Sequence, residues 1–174
     1  MSGSLFNIFN RTWTIQDLLA VEANRVQKSA GCSVSFVNCY REIVQESILE
    51  KFKRFFTRKK DAMNVFYVTF KFEVISDTGH KYPVLIRTMA DPNASEYMKN
   101  KIQIYCGCND FKYRSAWVLN NHGALFVTVK SKAKLGAGLT DSPSNKTKTS
   151  VLCKHAYSAV NFFMNNYSAL MAAV

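Results

Sequence analysis

The chain contains no apolar run that approaches the ~20 residues a membrane-spanning helix needs. Its most apolar stretch, Ala156 to Val174, is interrupted by Asn161, Asn165, Asn166 and Ser168. That pattern predicts a buried amphipathic helix and no membrane contact. Residues 1–6 lack the basic start and long apolar core of a secretory leader, so a reducing, intracellular compartment is expected. No internal repeat is visible. Acidic residues are scarce: 12 Asp and Glu face 23 Lys and Arg, a net charge of +11. An excess of this size points to polyanionic partners and says little about fold.

What is present suits one folded domain. A chain of 174 residues can bury a core, and 48% hydrophobic with 13% aromatic residues excludes wholesale disorder. Residues 1–13 read as an N-terminal arm carrying Leu5, Phe6, Ile8 and Phe9, expected to dock on another subunit, the alternative being to fold back on its own domain. Residues 14–174 read as a single α+β domain.

Thr14 with Asp17 has the spacing of a helix cap and a third-position acid, followed by an apolar face of Ile15, Leu18, Leu19 and Val26. Residues 29–38 read as a loop or short extended piece. Tyr40, Val44, Ile48, Phe52 and Phe55 recur every three or four residues and predict a second helix. The period then changes. Residues 65–74 are β-branched and aromatic, Asp77-Thr78-Gly79 turns the chain, and residues 82–88 return, which predicts a hairpin. Pro92 suits the start of a short helix through Tyr97 and Met98. Ile102 to Cys106 predicts a third strand, residues 111–120 a helix or packed turn, and Leu125 to Val129 a fourth strand. Residues 130–150, rich in Lys, Ser, Thr and Gly, read as a loop. The expected architecture is therefore two N-terminal helices, a small antiparallel sheet and a C-terminal helix.

Chemistry is concentrated in Cys106-Gly107-Cys108 and Cys153-Lys154-His155. Three thiols and an imidazole make a complete tetrahedral donor set for a structural Zn²⁺, and sulfur and nitrogen ligands favour zinc over the oxygen-seeking magnesium and calcium. The first pair ends a strand-like run and the second opens a helix-like one, so the ion would tie a strand to the C-terminal helix. Disulfides are the rival use of these cysteines, disfavoured in a reducing compartment. A catalytic zinc would keep one position open for water beside a carboxylate base. Here four ligands are supplied and Asp110 is the nearest acid, so a closed, non-catalytic site is expected. Cys32 and Cys39 are expected to be buried free thiols. His80 is expected to be exposed, and His122 to lie in a turn as a reserve ligand at most.

The pattern Cys106-x-Cys108, spacer, Cys153-x-His155 resembles the SWIM-type zinc finger over about residues 100–165, with a spacer longer than is usual in that family. The segments Cys106 to Phe111 and Cys153 to His155 are also similar to segments of short phage-encoded proteins. The second resemblance implies a zinc-stabilised phage protein, a virion component, located in the host cytoplasm or the virion.

The positive charge is clustered. Lys51, Lys53, Arg54, Arg58, Lys59 and Lys60 interleave with Phe52, Phe55 and Phe56; a second set comprises Lys130, Lys132, Lys134, Lys146 and Lys148. Such clusters neutralise phosphates and release counterions, giving salt-sensitive binding without sequence preference. Lysines at a helix end are also favoured by the helix dipole alone. The expectation is a non-enzymatic, zinc-stabilised basic module that contacts nucleic acid or another polyanion within a nucleoprotein or virion assembly, alongside other subunits or further copies of itself. The alternative is a purely structural assembly subunit whose charge meets acidic protein surfaces, and a zinc hydrolase comes last.

Overall fold

The computed structural model of the protein describes residues 13–22, 31–43, 66–89, 94–128, 135 and 151–174. Among them are four strands, Ser33–Ile43 (β1), Phe66–Ile75 (β2), Lys81–Met89 (β3) and Ile102–Cys106 (β4), and the helices Ile15–Glu22 (α1), Ala116–Asn121 (α2), Lys154–Asn165 (α3) and Tyr167–Ala172 (α4). A 3₁₀ turn spans Ala94–Lys99, and a π-helical turn, Phe111–Ser115, leads into α2. The fold is α+β, with the strands in the order β1-β2-β3-β4 and every neighbouring pair antiparallel.

Period-two alternation gives the sheet one dry face. Val68, Phe70, Phe72 and Val74 of β2, Val84 and Ile86 of β3, and Ile102 and Ile104 of β4 have no solvent exposure. The helix α3 lies across this face and touches all four strands. Phe163 packs on Phe70 with ring centroids 5.2 Å apart, and Phe162 on Phe72 at 5.9 Å. On the opposite face the residues are mostly polar: Glu73 pairs with Lys81 at 2.9 Å, and Arg87 pairs with Glu42 and lies over the Tyr67 ring.

At the N-terminal end the expected cap is formed. The Thr14 amide donates to Asp17 Oδ2 at 3.0 Å, and the Asp17 amide donates to Thr14 Oγ1 at 3.1 Å, so each side chain satisfies an amide the helix leaves unpaired. Ile15 and Leu18 are fully buried. Trp13, the described residue of the expected arm, joins this end to β4: Ile102 N donates to Trp13 O, and the Trp13 ring stacks on His122 at 4.0 Å. Residues 1–12 lie outside the described residues.

Two expected elements differ. Residues 33–43 form a strand where a loop or short extended piece, then the start of a helix at Tyr40, were expected. The register passes from Phe36 opposite Phe72 to Asn38 opposite Lys71, which leaves Val37 as a bulge. The extra residue puts Phe36 and Cys39 on the same face three positions apart, and so gives a strand a helical spacing. The rest of the expected second helix, from residue 44 on, lies outside the described residues. Leu125–Val129 was expected to be a strand; among its described residues, 125–128, Leu125 makes an isolated parallel bridge to Ile104. Burial at Ala124, Leu125 and Phe126 gives way to exposed Val127 and Thr128, so the pairing does not extend.

Replacing Thr14 by Ala removes one half of the reciprocal cap. The expected cost is about 1 kcal/mol of stability, read as a lower melting temperature, with the metal content of the protein unchanged.

Candidate metal centre

The site is built where β4 ends and α3 begins. At the end of β4, Cys106 is an inward-facing strand residue with 1% exposure. Gly107 then passes close to β3: its amide donates to Pro83 O at 3.0 Å, and a Cβ there would stand 2.9 Å from Pro83 Cγ. Only a residue without a side chain can make that approach unshifted. The chain turns, and Cys108 Sγ accepts the Phe111 amide at 3.2 Å. On the other element, Cys153 is the N-cap of α3, with extended backbone, and its Sγ accepts the Ala156 amide at 3.3 Å. Two of the three sulfurs thus take amide hydrogen bonds at the starts of helical turns, where negative charge is stabilised.

His155 follows in the first turn of α3. It is 5% exposed and packs against the Tyr82 ring at a centroid distance of 4.2 Å. Neither of its ring nitrogens has a hydrogen-bond partner. A buried imidazole left in that state is costly unless a nitrogen ligates something. The donor atoms of Cys106, Cys108, Cys153 and His155 all lie within 4.8 Å of one another. Tetrahedral sulfur ligands at about 2.3 Å from an ion stand roughly 3.8 Å apart, so the four residues can hold one metal ion. The expected ligand set is brought together by residues far apart in sequence.

The electrostatics of the three thiols are coupled. Hydrogen bonds from Cys106 and Cys153 pull the Cys108 thiol below its ordinary range. Cys106 is pushed up first by its hydrogen bond to Cys108, and Cys153 first by burial. Without a cation the pocket therefore favours one thiolate and two thiols. Near the site, Lys154 Nζ pairs with Asp77 Oδ1 at 2.6 Å, tying the start of α3 to the β2–β3 turn. Asp77 is lowered and Lys154 raised by this bond. Both are solvent-exposed, so the pair adds little stability. Asp110, the acid nearest the first pair in sequence, is engaged by Arg114 at 2.8 Å.

The remaining candidates are placed as follows. Cys32 and Cys39 are free but half-buried, where burial was expected. Cys39 lies in β1, the sheet edge, and Cys32 just before it; Cys39 Sγ donates to Ala173 O at 3.6 Å. His80 is exposed as expected, and His122 is engaged with Trp13. The clusters at residues 51–60 and 130–148 lie outside the described residues. Leu135, the one described residue of the stretch expected to be a loop, is buried at 2% and lines, with Tyr105, Cys106, Cys108, Asn109 and Lys112, a cleft of about 240 Å³ beside the site. Sequence reading missed the Tyr82 ring contact and the Gly107–Pro83 contact. The glycine between the two cysteines was the available signal.

Compared with known proteins, the chain matches no family model, no curated protein and no solved structure.

Two outcomes follow. Cys153→Ser or His155→Ala should lower both bound metal and melting temperature, whereas Cys32→Ser should leave bound metal unchanged, as elemental analysis of purified protein checks. Gly107→Ala keeps all four ligands and should still reduce bound metal, because the new methyl drives β4 away from Pro83. The second outcome concerns protons. Cysteines ligate as thiolates, so the ion must displace the protons of the raised Cys106 and Cys153 thiols. Metal binding should therefore release protons, and affinity should rise with pH. Calorimetry in buffers of different ionisation enthalpy reads the release.

Proposed function

We propose that the ion is zinc, that its role is structural, and that the protein is a non-enzymatic basic module contacting the phosphates of nucleic acid in a nucleoprotein or virion assembly. The zinc assignment is supported by the donor chemistry: three sulfurs and one nitrogen in a tight, buried set suit a tetrahedral d¹⁰ ion. A structural role is supported by the completeness of that set, which leaves no protein-free position for a reacting water. The order of the ligands, Cys-x-Cys at a strand end and Cys-x-His at a helix start, is that of a SWIM-type zinc finger and supports placing residues 100–165 beside that family.

Contact with phosphate is carried by one observation, the net charge of +11. Several acids are already engaged by partners within the fold, Glu42, Glu73, Asp77 and Asp110 among them. The excess of cations is concentrated in the two clusters, whose like charges repel one another and are relieved by a polyanion. Affinity for random single strands or duplex should therefore fall steeply with added salt. Replacing Lys132, Lys146 and Lys148 by Ser should flatten the slope by about one unit per lysine without changing the melting temperature. Absence of binding at low salt would overturn the phosphate reading in favour of a structural subunit whose charge faces acidic protein.

A further inference from the structure

The π-helical turn and α2 present a second feature beside the metal centre. Phe111, Ser115, Ala116 and Leu119 are fully buried and fix this element to the core. The opposite side carries Tyr113, which at 46% is the most exposed aromatic ring among the described residues. Lys112 Nζ stands 5.0 Å from the centroid of that ring, and the same lysine lines the cleft with Asn109 and Cys108. Arg114 holds Asp110 at 2.8 Å, so the carboxylate nearest in sequence is already paired. The platform is held at its root, because the Phe111 amide is hydrogen-bonded to the sulfur of Cys108.

We propose that Tyr113 is a stacking platform for one unpaired base of a single-stranded nucleic acid, with Lys112 taking the adjoining phosphate. Any base offers a π-face to an exposed ring, and stacking of this kind tolerates sequence. Bases inside a duplex are stacked on their neighbours and cannot reach it. The lysine argues against an apolar protein surface as occupant. An apolar protein surface laid on Tyr113 would strip water from the ammonium without replacing its partner, whereas a phosphate supplies one. The stem of Lys112 is long enough to move from the ring to a phosphate as the base arrives.

This inference rests on the phosphate-binding reading, and the test separates the two. Binding of a labelled oligothymidylate, and of the same strand made wholly of abasic sites, is followed by fluorescence anisotropy with metal-loaded protein at fixed low salt. Wild type should bind the abasic strand about ten-fold more weakly than the base-bearing one. Tyr113→Ala should bind the base-bearing strand about ten-fold more weakly than wild type does, with its salt slope unchanged, and should no longer tell the two strands apart. Tyr113→Phe should behave as wild type. Lys112→Gln should lower the salt slope by about one. Equal affinity of wild type for both strands, or an unchanged affinity in folded Tyr113→Ala, overturns the stacking platform and leaves the lysine clusters as the binding surface. Loss of self-association in Tyr113→Ala with nucleic-acid binding intact would likewise overturn it and make this face a protein contact. If wild type binds neither strand, both readings fall.

Discussion

One convergence governs the described structure: two sulfurs from the end of β4 meet a sulfur and an imidazole from the start of α3. Residues 109–152 lie between the two pairs, and joining their ends in one small site removes much of the freedom that a long connection keeps in the unfolded chain. An ion seated there contributes its binding energy directly to folding, since no such arrangement exists before the strand and helix are in place. The same link sets the angle at which α3 leaves the site. From there the helix runs across the dry face of the sheet, where Phe162 and Phe163 find Phe72 and Phe70.

Packing and metal ligation are coupled through particular residues. Cys153 both caps α3 and brings a sulfur to the four-donor cluster, so helix initiation would go together with ligation of an ion there. Gly107 allows the approach to Pro83 that aims Cys106 and Cys108 at the helix. Tyr82, on the strand beside β4, holds the His155 ring by a tilted ring contact where many ligating histidines are held by a hydrogen bond. Shifts in any of these would move a donor atom, and the site's tightness leaves little room for such movement.

Much of this was legible in the sequence because the signals are local. Thr14 with Asp17 announces its own cap, the β2–β3 hairpin alternates cleanly around a Gly79 turn, and the two cysteine-containing pairs sit at visible element ends. The strand β1 was misread for a physical reason. Tyr40 was counted with Val44, Ile48, Phe52 and Phe55 in one helical spacing, whereas its backbone pairs with Thr69 of β2, and a pairing across more than twenty residues leaves no local signal. The Leu125 segment carries strand-forming residues, yet whether it pairs depends on how much of β4's edge is available, a tertiary fact. The Tyr82–His155 ring contact was equally hidden, since the two residues are remote in sequence and Tyr82 belongs to no motif.

Whether a single ion holds β4 and α3 together is tested most directly by X-ray absorption at the zinc edge on the purified protein. A first shell of three sulfurs at about 2.3 Å and one nitrogen at about 2.0 Å is expected. A shell of oxygen and nitrogen alone, or a metal–metal distance revealing a cluster, would contradict it.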